Sequence, residues 1–534
     1  MPRSSSILRP DLVNSVPTPL VGSAPRQAIS FAYSAGDTGD TLARLPEHVE
    51  TTPSTWQPAC FARDLFLSEL CDEVFQINIG GRNVEGCKPR FLNLLCHPPT
   101  SEASLKLRQD IFNTLSLPAK RTAFETLYQS LVALRSLLMR SEVGLRADSH
   151  RRRIEILATL KESVEHCEAF NTCDCGLARL SEFAATVRAR ESFVRLCELV
   201  ELEQDFSTVD VRIGVGSDGS IRRFELLRRQ PNQANPLYRS PIKRLLTRLW
   251  LFITGHRVGE HEVLVRLCDA VFGNLIDVVE HFLLLIGDLE FYLAGLAFKD
   301  RAKARGLDVC LAELVPETSN KTLLTQAFNP FLLSHDKIKP TDIHLNNSGI
   351  NIITGPNSGG KTRLLQTLSL CQLLGQSGLF VPAATARLPR VSALLVSLNE
   401  PATSGQGEGR LGMELLRIRS LFERLRPGSL VLVDELCSGT NPSEGEEIFE
   451  LVAELLNEHG ERAWITTHFL EFARRLESEQ RLPLHFLQVE LDDESNPTYQ
   501  FVPGVAKTSL ARLVAERLGV TRNALQKLLS ESKE

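Results

Sequence analysis

One short string constrains this chain more than any other. Gly355-Pro-Asn-Ser-Gly-Gly-Lys-Thr362 fits the pattern G-x-x-x-x-G-K-[ST], directly after a strand-like run at 351–354 and directly before a helical pattern. A strand that feeds a glycine-rich turn and then a helix aims backbone N–H groups and the positive helix end at an anion. On this reading Gly355, Pro356, Asn357, Ser358, Gly359 and Gly360 cradle phosphates, Lys361 reaches the β- and γ-phosphates of ATP, and Thr362 offers a hydroxyl to Mg²⁺.

Two further strand ends complete the expected site. Ser429-Leu-Val-Leu-Val433 reads as a buried strand running into Asp434-Glu435. Asp434 is placed to hold Mg²⁺, directly or through water, and Glu435 to orient and polarise the attacking water. Ala463-Trp-Ile-Thr-Thr467 ends at His468, whose imidazole is positioned to sense the γ-phosphate.

From residue 311 onward short apolar strands alternate with helices, at 350–354, 362–374, 393–398, 413–425, 430–433, 443–457 and 463–466. This alternation predicts an α/β domain with a largely parallel sheet over 311–505. Residues 45–310 read as a long, mainly α-helical lever or clamp region. Phe124, Leu127, Leu131, Leu134 and Leu138 form one helical stripe there, and Leu275, Val278, Val279, Phe282, Leu285 and Leu289 another. Between the stripes, two alternating runs flank Ser217-Asp218-Gly219, a hairpin signal. A basic segment follows, with Arg228, Arg229, Arg239, Lys243, Arg244 and Arg248. Such a segment is either a solvated face or a phosphate contact.

Composition excludes rather than identifies. At 534 residues, 43% hydrophobic and 23% charged, the chain is ordinary globular material. A net charge of -5 gives no overall attraction to nucleic acid, so DNA contact would need local basic patches. Twelve scattered cysteines without a secretory leader fit reduced thiols in the cytoplasm. His166-Cys167 with Cys173-Asp-Cys175 lacks standard zinc spacing and reads as helix-end cysteines. The apolar stretch 282–298, broken by Asp288 and Glu290, reads as too short for a membrane span. Residues 1–44, rich in Ser, Pro, Ala and Gly, read as a disordered tail, with an organelle transit sequence as the alternative.

Several strings, taken in order, resemble the MutS family of DNA mismatch-repair and recombination ATPases. They are Ile353-Thr-Gly-Pro-Asn-Ser-Gly-Gly-Lys-Thr362, Gly375-Gln-Ser-Gly-Leu-Phe-Val-Pro-Ala383, Asp434-Glu-Leu-Cys-Ser-Gly-Thr-Asn-Pro-Ser-Glu-Gly445 and Thr466-Thr-His468. The form Gly439-Thr-Asn-Pro-Ser-Glu-Gly445 is similar to the branch linked to recombination control and ribosome-associated work. The resemblance implies that the α/β domain is a P-loop ATPase of the ABC type, that Asn357 polarises the γ-phosphate or attacking water, and that Ile338 and Thr341 stand where the family approaches adenine. It also implies a homodimer closed by a C-terminal helix-turn-helix over 506–534. The serine that the family supplies to its partner's site falls on Gly409, with Ser404 a substitute nearby. Domains with a Phe-x-Glu wedge, and a nuclease-like tail, are expected to be missing.

The implied function is a DNA-binding ATP hydrolase that couples ATP binding and hydrolysis to clamping of mismatched or branched duplex DNA. The rival reading is an ATP-switched scaffold that binds a protein or ribosomal partner with little turnover. No membrane partner is expected.

Overall fold

The two helical stripes set the first unit. The computed structural model describes residues 8–17, 24–36, 41–49, 52–140, 149–205, 208–215, 221–230, 260–319, 321–335, 337–345, 349–356, 359–398, 410–437, 441–494, 496–507, 520–522 and 525–526. The chain divides into two compact units, one of residues 1–50 and 110–293, the other of 51–109 and 294–534.

In the first unit the helix Pro118–Met139 begins with proline at its first turn, where a missing N–H costs nothing. It buries Phe124, Leu127, Leu131, Leu134 and Leu138, as their three- and four-residue spacing requires. The second expected block is two helices, Glu260–Gly273 and Ile276–Ala304. Asn274 interrupts it, turning its side-chain amide back onto the Ala270 carbonyl at 2.8 Å. The expected hairpin consists of antiparallel strands Thr208–Val215 and Ile221–Gln230. Its Ser217-Asp218-Gly219 turn lies outside the described residues, as do Arg239, Lys243, Arg244 and Arg248.

Ile276–Ala304 is long and apolar enough to cross a membrane by length and composition, contrary to the shorter stretch read from sequence. Its most apolar window is entirely buried inside the protein. Acids break its length yet stay buried, because each has a partner: Asp288 accepts Arg9 at 2.8 Å, Glu280 accepts Arg26 at 2.7 Å and Glu290 accepts the Tyr128 hydroxyl at 3.1 Å.

Those partners overturn the expectation of a disordered N-terminal tail. Leu12 and Val13 are fully buried, and the Tyr292 hydroxyl donates to the Leu12 carbonyl at 2.6 Å. Arg179 donates to the carbonyls of Asp11, Asn14 and Ser15. Residues 24–35 form a helix. Low-complexity composition concealed this, although Ile29, Ala32 and Tyr33 fall at helical spacing and are buried.

The second unit is built on a six-stranded sheet. We label its strands β1 (Ile350–Thr354), β2 (Leu394–Ser397), β3 (Leu430–Val433), β4 (Arg462–Thr466), β5 (Leu484–Leu491) and β6 (Pro497–Pro503). The order is β2-β3-β4-β1-β5-β6, with every neighbouring pair parallel except β5 and β6. β1 and β3 are buried at every position, as befits strands covered on both faces. The associated helices are α1 (Lys361–Ser377), α2 (Arg410–Arg424), α3 (Pro442–Glu458) and α4 (Leu470–Glu479). A second, mixed sheet orders Glu313–Val315, Thr385–Pro389, Thr322–Ala327 and Thr341–Leu345.

Residues 51–109 belong with this sheet unit and not with the helical region, unlike the division at 311 read from composition. Trp56 donates its indole N–H to the Val391 carbonyl at 3.1 Å, and Arg108 donates to the Ser377 carbonyl at 2.7 Å. The segment thus satisfies backbone acceptors of a domain that begins more than two hundred residues later, a relation that local sequence pattern cannot display.

Candidate nucleotide site

The site begins where β1 stops. Gly355 takes φ +139 and Gly360 φ +86, both costly for a residue with Cβ, and Gly360 caps the start of α1. Space is short as well: a Cβ on Gly355 would meet Val489 Cγ2 at 2.7 Å, and one on Gly359 would meet it at 2.8 Å. Val489 of β5, buried at 3% exposure, therefore forms the floor beneath the loop.

Lys361 is 3% exposed and donates to the carbonyls of Gly355 at 2.8 Å and Pro356 at 3.0 Å. Burial lowers its pKa, while Glu435 and Asp434 act in the opposite direction. Asn357 and Ser358 lie outside the described residues.

The acidic pair meets this loop. The Thr362 hydroxyl donates to Asp434 Oδ2 at 2.6 Å, and the Thr466 hydroxyl donates to Asp434 Oδ1 at 2.6 Å. The Asp434 N–H is held by the Ser397 carbonyl at 2.8 Å. Glu435 has φ +47, and its N–H donates to Thr466 Oγ1 at 2.7 Å. A left-handed backbone at a non-glycine residue turns the chain out of the strand at that point, so Glu435 leaves the buried run of β3 half-exposed. One carboxylate and one hydroxyl side by side are hard oxygen donors of the kind Mg²⁺ takes, so Thr362 and Asp434 fit that ion.

His468 stands two residues past Thr466, which pairs with Ile353 beside the start of the glycine loop. Its ring is exposed and touches that of Phe469 at 4.3 Å between centroids. Ile338 is half-buried, and Thr341 is buried with its hydroxyl lacking a partner. Asn329, in the segment before them, donates to Gln366 of α1 at 2.9 Å. Cys167 and Cys175 make ordinary contacts, with Ser163 O at 3.4 Å and Thr114 Oγ1 at 3.3 Å respectively. Gly409 and Ser404 lie outside the described residues, as does most of 506–534.

Three residues escaped the sequence reading. Thr466 bridges the two acids, Val489 floors the loop, and Tyr499 of β6 lies 3.1 Å from a Cβ built on Gly360. Lys339 sits over the Tyr499 ring at 5.4 Å, and Gln500 donates to the Pro340 carbonyl at 2.8 Å. β6 thus connects the 338–341 segment to the glycine loop. A hydroxyl at the end of the strand next to the loop strand was a visible signal for Thr466. Nothing local pointed to the others.

The family described as MutS domain V matches residues 351–532. Over this region the chain is similar to the MutS family. Similar proteins include the Endonuclease MutS2 of Fusobacterium nucleatum, 28% identical over 271 residues, or 50% of this chain and 33% of the relative. That of Thermus thermophilus is 34% identical over 215 residues, covering 40% and 28%, and that of Thermomicrobium roseum 33% over 267, covering 49% and 33%. The chain spans about a third of the length of these relatives. The MutS match starts within β1 and takes in the glycine loop, the acidic pair and the strands that hold them.

Proposed function

We propose that this chain is a MutS-family P-loop ATPase of the ABC type, whose ATP binding and hydrolysis clamp mismatched or branched duplex DNA in repair or recombination control. The observation that carries it is the 2.6 Å hydrogen bond from Thr362 to Asp434, which joins the glycine loop to the acidic strand end. Lys361 neutralises the β- and γ-phosphates, and backbone N–H groups of 355–360 hold them in line. Mg²⁺ held by Thr362 and Asp434 would draw charge from the phosphate oxygens. Glu435 orients the attacking water, with Asn357 and His468 near the γ-phosphate. Phosphoryl transfer needs positioning and charge neutralisation more than covalent participation, and the rigid ends of β1, β3 and β4 supply that positioning.

Ile338, Thr341 and Tyr499 lie on the base side of the site. Tyr499→Ala should weaken ATP binding by roughly 5- to 100-fold, the range expected for one lost base–aromatic stack. Fluorescence titration with an ATP analogue measures it, and an unchanged affinity removes Tyr499 from the base pocket.

Two chains are proposed to complete the sites, as the family resemblance implies. DNA is the proposed partner because the relatives are named endonucleases and belong to a DNA-repair family. Steady-state ATP hydrolysis measured with plain, mismatched and branched duplexes tests the reading. A rate that responds to DNA, most strongly to mismatched or branched forms, is expected. Hydrolysis indifferent to every duplex would favour the ATP-switched scaffold.

A further inference from the structure

A cavity of about 180 Å³, separate from the glycine loop, opens where residues 59–64 meet β2 and α2. Its wall carries three guanidinium groups, Arg63, Arg417 and Arg424, against one carboxylate, Asp64. Asp64 Oδ1 accepts the backbone N–H of Leu398 at 3.1 Å. Ser397 and Ser420 add hydroxyls, so the lining is cationic and rich in donors.

Arg417, Ser420 and Arg424 recur at three- and four-residue steps, which puts them on one face of α2. Arg424 reaches the Ala59 carbonyl at 3.4 Å, fixing its head group on the wall. Among the described residues no carboxylate forms an ion pair with Arg417 or Arg424. Three guanidinium groups facing one carboxylate, Asp64, leave the hollow with an excess of positive charge, which an oxyanion offsets.

Size narrows the class. The volume is well above the ~10–15 Å³ of such space that one water needs. A phosphate group with a short substituent or a few waters fits, and the planar fork of arginine matches phosphate oxygens in pairs. The hollow also abuts the nucleotide site from behind. Ser397 and Arg417 line a smaller cavity, of about 30 Å³, together with Asp434 and Glu435.

We propose that this arginine-lined cavity is a second anion site, which binds a phosphate monoester independently of the glycine loop. The shared chemistry is a terminal phosphate, from inorganic phosphate or from a 5′-phosphorylated nucleic-acid end.

Calorimetric titration of the full chain with inorganic phosphate tests it. Lys361→Ala should retain this binding, whereas Arg417→Gln with Arg424→Gln should weaken it by at least about tenfold. Arg417→Lys with Arg424→Lys, which keeps the charge, should keep part of it. Should the glutamine variant misfold, phenylglyoxal labelling of the unaltered chain still decides, since phosphate must protect Arg417 and Arg424. Binding lost in Lys361→Ala but intact in the glutamine variant, or labelling indifferent to phosphate, overturns the proposal. Competition by a 5′-phosphorylated oligonucleotide identifies a nucleic-acid end, and its absence identifies free phosphate. Equal competition by the 5′-hydroxyl form also overturns the monoester assignment.

Discussion

Glu435→Gln should slow ATP turnover by about 10²–10⁴-fold while leaving ATP affinity nearly unchanged. The amide keeps the shape of the carboxylate and removes its ability to take a proton from water. The backbone that aims this residue is preserved, because the turn at φ +47 and the bond from its N–H to Thr466 do not involve the side chain. Lys361→Ala should act on the other step. Its ammonium is buried against the loop carbonyls, and removing it takes a side-chain cation from the glycine loop. ATP affinity should fall by at least about tenfold, the value of one or two lost charge-assisted bonds. Equilibrium binding of a fluorescent ATP analogue, paired with single-turnover hydrolysis, separates the two effects. Equal loss of binding in both variants would refute the division of labour between loop and strand end.

Arg9→Ala should destabilise the helical unit by about 3–5 kcal/mol, the cost of leaving a buried charge without its partner. The pair is closed to solvent: the Arg9 side chain is 2% exposed and that of Asp288 0%, at 2.8 Å. Asp288 sits within the helix Ile276–Ala304, so water cannot replace the guanidinium without opening the core. The double replacement Arg9→Met with Asp288→Leu should recover only part of the loss, since Asp11, which also pairs with Arg9 at 3.3 Å and is fully buried, keeps its charge. Urea denaturation followed by circular dichroism measures both variants. A midpoint for Arg9→Ala equal to that of the unaltered chain would show that the N-terminal segment does not hold the helical unit.

The candidate nucleotide site was legible because its parts are local strings. Gly355 and Gly360 take backbone angles that favour glycine, and β3 announces itself as an apolar run with no polar interruption. The strands β5 and β6 were not anticipated. Their faces alternate only weakly in burial, and β6 contains Tyr499 at φ +63, a break in the regular pattern that periodicity depends on. With them went Val489 and Tyr499, the two side chains that bracket the loop from below and beside.

The sequence by itself determined the alternation of β1 to β4 with α1 to α3 and the position of the glycine-rich turn. These follow from φ preference, apolar period and charge, all of which act between near neighbours in the chain. Only the tertiary structure decided which other distant groups meet: Trp56 with Val391, Arg9 with Asp288. Each of those pairings depends on burial, where a polar group must find a partner wherever the fold supplies one, and sequence distance places no limit on where that is.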